Sequence, residues 1–479
     1  MSISVSSATP KTPSAPPRSA PVSTVLHRLV RRLHFYAGVL VAPFLLVAAV
    51  TGALYSVSPT VENLVYRAQL HTDSTGSAAS LAAQVRAAQA VRPDLHLSGV
   101  WPATNPGDTT RVLFDDPSLG ASERLAVFID PVTTQSRGQL VSYGSSGALP
   151  LRTWIDRLHR DLHLGDPGRL YSELAASWLW LVALGGLTLW VMQIRKRRRA
   201  TGRGSLLRGS PGARGRAATV NRHGVIGAWI VVALLFLSAT GLTWSTYAGQ
   251  HVTDLRSTLG WTTPTADASL TGGQAPTGGE HAEHGGHDMG GHSDATVDAV
   301  AGIDGAVGIA RANGVDGAVE VTVPTDDATA FTVAQRRVPW RASTSSITVD
   351  PSRDAVVDLN RFADWPLAAK LSTWGITLHM GLLFGLPNQV LLLTVMLALI
   401  TLIVLGYRSW WQRRARDARA GTAPARGALR DLPLPLAAGI LVVAAAVGWL
   451  LPLLGWPLLA FLVIDTVLPR VREAALPKS

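Results

Sequence analysis

The chain of 479 residues contains no cysteine, and this absence removes several kinds of site at once. Disulfide frameworks, thiolate metal sites, cysteine-held iron–sulfur clusters and covalently attached haem are all excluded. The sequence also lacks a Gly-rich nucleotide fingerprint between a strand and a helix, a Walker sequence, and the Ser-His-Asp or His-Glu-x-x-His patterns of proteases. If the protein carries out redox chemistry, its electrons would therefore have to come from a separate cytoplasmic protein or a quinol.

Charged residues are scarce, at 16% of the chain, whereas 47% is hydrophobic and gathers into runs of membrane-spanning length. The net charge of +11 does not indicate nucleic acid, because the basic residues form clusters beside the apolar runs. This is the positive-inside pattern of a multi-pass protein in a lipid bilayer. The clusters are Arg28, Arg31 and Arg32; Arg195 to Arg199; and Arg408, Arg413, Arg414 and Arg416.

The pattern predicts an α-helical integral membrane protein with two small extracytoplasmic α+β domains and both termini in the cytoplasm. No apolar signal-peptide core precedes the first span, so the Pro- and Ser-rich start is predicted to be a tail. The predicted segments are a disordered tail (1–25), span one (33–57), α+β domain one (60–150), a His helix with span two (150–194), a basic loop (195–222), span three (223–247), a linker with a Gly/His-rich segment (248–295), α+β domain two (296–365), a His helix with span four (366–408), a basic loop (409–430) and a hairpin of spans five and six (432–468).

Two stretches of the chain match each other without a gap. Trp154 to His159 and Trp374 to His379 each place a Leu-His pair before a Gly, a Pro and an apolar run, and the two histidines lie 220 positions apart. His34 and His223 likewise begin matching stretches, at an offset of 189. The two offsets differ by 31 residues, which fall in the linker. The sequence therefore predicts an internally duplicated helical bundle closed by a C-terminal helical hairpin.

Four histidines occupy equivalent positions in the two repeats. The predicted topology places His34 and His223 near the cytoplasmic face and His159 and His379 near the outer face. A helical span rises about 1.5 Å per residue, so the levels are roughly 25 Å apart and one metal cannot use both. Each level receives one histidine from each repeat, which favours two bis-histidine haem b sites. Both axial positions of each iron would be filled, which suits electron transfer.

Other residues are candidates of second rank. Haem propionates need cations, and such cations lie near both predicted levels: Arg31, Arg32 and Arg222 near the inner pair, and Arg160 and Arg169 near the outer pair. His163 competes with His159, since the two share a helix face. Its repeat counterpart is Leu383, however, which favours His159. The alternative for each histidine alone is an ordinary interface residue.

The segment Glu280 to His292 is rich in glycine and histidine. Four imidazoles, carboxylates and a thioether on such a backbone could capture a soft or borderline divalent metal. The candidate ligands are His281, His284, His287 and His292. A solvated low-complexity loop is an equal alternative. Because the first repeat lacks this segment, it is an accessory feature.

The sequence resembles the PepSY-associated transmembrane family over about residues 25–415. The carrying residues are Leu33 to Gly38 with Thr51-Gly52, Leu158-His159-Arg160 with Leu164 to Arg169, Arg222-His223 with Thr240-Gly241, and Leu378-His379 with Gly385. The α+β units, with Asp130-Pro131 and Asp350-Pro351, resemble PepSY domains. The resemblance implies a haem-containing protein of the bacterial cytoplasmic (inner) membrane that passes electrons to extracytoplasmic metal chelates such as ferric siderophores. The alternative is a non-catalytic PepSY envelope protein that binds partners, restrains a protease or captures metal through the His-rich loop.

Overall fold

The computed structural model describes residues 21–210, 212–270, 299–414 and 431–474. In chain order the helices are α1 (Val22–Leu40), α2 (Ala42–Val65), α3 (Arg67–Leu70), α4 (Leu81–Val91), α5 (Pro150–Asp161), α6 (Asp166–Thr201), α7 (Gly215–Leu242), α8 (Tyr247–Thr258), α9 (Ile303–Ala312), α10 (Leu367–His379), α11 (Leu386–Arg414), α12 (Leu434–Leu450) and α13 (Pro452–Ala474). The strands are β1 (His96–Trp101), β2 (Thr110–Asp115), β3 (Glu123–Ile129), β4 (Ser136–Tyr143), β5 (Val319–Thr322), β6 (Phe331–Gln335), β7 (Ser346–Asp350) and β8 (Ala355–Asn360).

Four helices are long and apolar enough to cross a membrane, namely Ala42–Val65, Asp166–Thr201, Gly215–Leu242 and Leu386–Gln412. Within the bundle α2 packs on α11, α6 packs on α7, and α7 packs on α11. The contacts bury small and aliphatic side chains such as Ala49, Leu234 and Leu399. Two shorter apolar stretches, Leu434–Leu450 and Pro452–Ile464, lie in α12 and α13. The chain is therefore a membrane protein built around a helical bundle.

The first predicted span is divided into two helices. Helix α1 ends at Leu40 and α2 begins at Ala42, with Pro43 in its first turn. Proline has no N–H group, so it cannot donate to the carbonyl of Val39 four residues earlier. The Tyr407 hydroxyl donates to that carbonyl instead, at 3.0 Å. The break therefore fixes α1 against α11. Helix α1 also begins at Val22, inside the stretch predicted to be a tail.

The α+β regions join into one antiparallel sheet with the order β4-β3-β2-β1-β5-β6-β7-β8. The sequence predicts two domains, whereas the structure pairs the first strand of each region, with Gly99 opposite Thr322 and Val100 opposite Val321. Each first strand would otherwise be an unpaired edge, and pairing satisfies the backbone groups of both. Helices α4 and α9 cover one face and share a single apolar core with it.

The opposite face of the first four strands rests on the membrane bundle. Trp101, Leu113 and Phe128 form a second core there with Leu149, next to α5. The carboxylate of Glu62, near the end of α2, accepts a hydrogen bond from the Leu149 N–H at 2.7 Å and lies 3.4 Å from the Arg152 guanidinium. These contacts fix the start of α5, and so the height of its histidine, relative to α2.

Helix α13 packs on α6, and helices α12 and α13 pack on each other. They cross closely at Gly448 and Gly455, where an added Cβ would lie 2.6 to 2.9 Å from the backbone of the other helix. The indole N–H of Trp178 donates to the Leu453 carbonyl at 3.1 Å. The His251 ring stacks on Trp449 with 5.1 Å between centroids. The pair is thus docked on the bundle by specific contacts.

Candidate functional site

The sheet-side pair consists of His159 and His379, carried by the short helices α5 and α10 between the bundle and the sheet. Nδ1 of His159 lies 2.8 Å from Thr51 Oγ1, and Nδ1 of His379 lies 2.6 Å from Thr240 Oγ1. Each threonine hydroxyl donates to the carbonyl four residues earlier in its helix, at 2.9 Å for Thr51 and 2.8 Å for Thr240. With that proton committed, the threonine oxygen accepts from Nδ1–H, which leaves Nε2 as the unprotonated nitrogen.

Equivalent neighbours pack on the two rings. Tyr55 stacks on His159 at 6.3 Å between centroids, and Trp244, which matches Tyr55 in the second repeat, meets His379 edge-on at 5.8 Å. A Cβ added at Gly52 would lie 3.2 Å from Cε1 of His159. The corresponding distance from Gly241 to His379 is 3.9 Å. Of these two glycines, Gly52 therefore has less room for a side chain than Gly241.

Both sheet-side histidines line one cavity of about 210 Å³. Its depth is apolar, with Leu45, Leu179 and Leu399 among the lining residues. Burial lowers the pKa of His159 to about 4, and burial together with the neighbouring His159 lowers the pKa of His379 to about 3. Both imidazoles are therefore neutral at physiological pH, the state in which an imidazole nitrogen binds a metal.

The far pair consists of His34 on α1 and His223 on α7. Nδ1 of His34 donates to the Val182 carbonyl and Nδ1 of His223 donates to the Leu402 carbonyl, both at 3.0 Å. A carbonyl can only accept, so Nε2 is again the unprotonated nitrogen. Val182 lies near the middle of α6. The far pair therefore lies deeper in the bundle than the position near the cytoplasmic face that the sequence predicts for His34 and His223.

The far pair has the spacing of two ligands on one metal. The ring centroids are 6.4 Å apart and the ring planes make an angle of 76°. An imidazole nitrogen binds a first-row metal at about 2 Å, so two imidazoles on opposite sides of one ion place their ring centres roughly 6 Å apart. Within the described part of the chain, no three His, Asp or Glu side chains gather as a metal cluster. The far pair therefore has two imidazoles close enough to contact one ion from opposite sides.

Glycines in α6 and α11 make room for the far pair. A Cβ added at Gly186 would lie 2.9 Å from Cε1 of His34, and one added at Gly406 would lie 3.7 Å from Cε1 of His223. Gly38, which precedes the break between α1 and α2, has nothing within 4 Å of its added Cβ and so makes no such room. The signal that could have found Gly186 was its match with Gly406 at an offset of 220, the same offset that relates His159 to His379.

The two pairs lie at different levels. Helix α7 carries His223 and also Thr240, the anchor of His379, 17 residues apart in one continuous helix. That spacing corresponds to roughly 25 Å of helix rise. The two pairs therefore form two separate sites.

The second-rank candidates are dispersed. Arg160 lines the cavity and donates to the Tyr143 hydroxyl at 2.6 Å. Arg169 instead donates to the Trp244 carbonyl and Thr246 Oγ1. His163 is exposed and packs on Trp154 at 5.0 Å, outside the cavity.

Near the far pair, Arg32 is buried, with its guanidinium over the rings of Tyr36 and Phe461. Arg31 and Arg222 are exposed. The proposed metal ligands of the Gly/His-rich segment, namely His281, His284, His287 and His292, lie outside the described residues.

The chain belongs to the family described as the PepSY-associated TM region, whose model matches residues 31–413. The match contains both histidine pairs and the sheet, and it ends before α12 and α13. A comparison with curated proteins found no match.

Proposed function

We propose that this protein carries electrons across the bacterial cytoplasmic membrane through two b-type haems and reduces an extracytoplasmic metal complex such as a ferric siderophore. The observation that carries the proposal is the shared state of the four histidines. All four have Nδ1 held by an oxygen acceptor and Nε2 left unprotonated. Side chains that only filled space would not need the same anchored nitrogen four times.

The residues present fit a haem at both levels. His34 and His223 would hold one haem, and His159 and His379 would hold the other. A bis-histidine haem supplies reversible one-electron transfer without an open coordination position. The carbonyls of Val182 and Leu402 and the hydroxyls of Thr51 and Thr240 hold the imidazole orientation. Arg160 supplies positive charge beside the sheet-side cavity, where propionates would lie.

The proposed direction follows from the basic clusters. Arg195 to Arg199 follow the apolar part of α6, and Arg408 lies near the end of α11. Positive charge marks the cytoplasmic side, so the sheet and the sheet-side pair face outward in this proposal and both termini lie inside. Electrons would enter at the far pair from a cytoplasmic protein or a quinol and leave at the sheet-side pair.

The test is the visible spectrum and haem content of the purified full chain. A haem b protein is red and gains sharp absorption bands on dithionite reduction, and we expect two haems per chain. Replacing His159 or His379 by Ala should reduce the content to one haem per chain. His163→Ala, an exposed histidine just past α5, is the matched control and should retain both. A folded but colourless protein would overturn the proposal, and full haem content in His159→Ala and His379→Ala would refute the ligand assignment.

A further inference from the structure

Helix α5 contributes charged residues to the sheet-side cavity, whereas the matching helix α10 does not. On α5, Asp156 and Arg160 line it on either side of His159, whereas the positions 220 residues later are Ile376 and Met380. The ligand geometry is the same in both halves, so the charged residues are not needed to hold the histidines. Their presence on one side calls for a different function.

A second arginine reaches the same place from the other half of the chain. Arg337 lies in the connection between β6 and β7 and lines the cavity together with Arg160. Its Nη1 lies 3.5 Å from the Ser145 hydroxyl. Ser145 belongs to the loop Gly144 to Gly147, which follows β4 between the bridged residues Tyr143 and Ala148 and also lines the cavity through Ser146. We call this region, formed by Arg160, Arg337 and the loop, the cavity mouth.

The loop itself is held by further arginines. Arg111 donates to the Gly147 carbonyl at 2.9 Å, and Arg152 donates to the Ser146 carbonyl at 2.9 Å. Burial, followed by repulsion from Arg336, lowers the pKa of Arg111 to about 9. Of the nearby carboxylates, Glu62 pairs with Arg152 and Asp161 pairs with Arg160, while Asp156 also lines the cavity. Arginines are nevertheless gathered at the end of the bundle that carries the sheet, where positive-inside topology does not account for them.

We propose that Arg160 and Arg337 form a carboxylate-binding site at the cavity mouth. Guanidinium groups bind carboxylates through paired, charge-assisted hydrogen bonds, and the adjacent serine hydroxyls of the loop can donate to the same anion. The carboxylate has two sources: the propionates of a bound haem, or an anionic chelate that carries its metal to the cavity. The site deepens the proposed function, because an anion held here lies beside His159.

Binding is measured directly by titrating the purified full chain in nanodiscs with gallium(III) citrate, a redox-inert anionic chelate, by calorimetry. Arg160→Gln and Arg337→Gln are each expected to weaken binding about tenfold or more, the loss typical of a charged hydrogen-bonding group. Binding to the unaltered protein should weaken as salt is raised. An uncharged gallium trihydroxamate should be insensitive to both substitutions. Arg157→Gln is the matched control, because Arg157 lies on the same helix but pairs with Glu123 and does not line the cavity.

Haem content and midpoint potential distinguish the two sources. Weaker gallium citrate binding with unchanged haem content and potential assigns the site to the incoming chelate. Loss of haem or a shifted potential in both variants, with little effect on citrate, assigns it to the propionates. If gallium citrate binding, haem content and midpoint potential all stay unchanged in both variants while thermal stability is kept, the proposal is overturned. The titration needs no haem, so gallium citrate binding to a colourless protein would refute the proposed electron transfer and leave the anion site standing.

Discussion

The two halves of the chain agree where they touch the histidines and differ where they touch the cavity mouth. Thr51 and Thr240 anchor the sheet-side rings in the same way, and Val182 and Leu402 do so for the far pair. Arg160 in one half, by contrast, corresponds to Met380 in the other. The recurring contacts therefore mark what holds the histidines of both pairs, and the differences mark a property that only one half of the chain has.

The largest expected effect tests the agreement between the halves. Thr51→Val and Thr240→Val keep the shape of the side chain but remove the oxygen that accepts from the imidazole Nδ1–H. Loss of such a partner typically lowers metal affinity about 10- to 100-fold. Each variant should therefore lose haem from the sheet-side pair alone, to a similar extent, as measured by haem titration of the purified chain.

Thr51→Ser and Thr240→Ser are the controls for this prediction, since serine keeps the hydroxyl and should retain the haem. The far pair offers no equivalent substitution, because backbone carbonyls hold its rings. Equal haem affinity in the valine and serine variants would show that the threonines only fill space. A large effect in one half and none in the other would break the comparison itself.

A smaller effect tests a difference between the halves. Asp130 and Asp350 stand at matching turns, but the hydroxyls of Thr72 and Ser74 both donate to Asp130, while only Ser352 donates its hydroxyl to Asp350. Although burial alone would raise it, these hydrogen bonds hold the pKa of Asp130 well below its usual range. The bond from Ser352 lowers the pKa of Asp350. The first turn should therefore depend more on its carboxylate.

Asp130→Asn should lower the free energy of unfolding by about 1–3 kcal/mol and Asp350→Asn by about 1 kcal/mol. Because both folded pKa values are depressed, the contribution is complete above the unfolded value of about 4 and is lost as pH falls through the folded values. Thermal unfolding of the full chain between about pH 7 and pH 3 measures it. The asparagine variants should approach the unaltered protein at the acid end. A constant gap across this range would contradict the assigned cause.

Sequence periodicity and matched spacing were enough to predict that His34 lies at the level of His223 and that His159 lies at the level of His379, because a helix repeat fixes which residues share a face and a level. The four apolar spans were predicted from the length and hydropathy of the apolar runs, because the thickness of a bilayer sets the length of a spanning helix. The pairing of the two α+β regions into one sheet could not be predicted. The sequence of β1 is that of a short apolar strand, and it would be the same whether the edge of β1 were exposed to water or paired with Val321 of β5. Pairing between distant strands leaves no local signal.

Parts of the candidate site were also beyond the sequence. The match of Thr51 with Thr240 was visible, but their bonds to the histidines depend on how α5 and α10 lie across the bundle. Arg337 has no basic counterpart in the first half and stands in an irregular connection, so no pattern points to it.

The smallest expected effect tests the contact that joins the halves above the sheet. The carboxylate of Asp304, on α9, accepts from the N–H groups of Leu81 and Ala82 at 2.7 and 3.0 Å, and so caps α4 of the other half. Asp304→Ala should cost about 1 kcal/mol, as the loss of a helix cap does. Amide hydrogen exchange in α4 should then be roughly fivefold faster.

Ser80→Ala is the matched control, because Ser80 caps the same helix from its own half. Haem content should stay unchanged in both variants, since α4 lies on the face of the sheet away from the histidines. If exchange in α4 accelerates in Ser80→Ala but not in Asp304→Ala, then the halves are joined by the β1–β5 pairing and the shared apolar core alone.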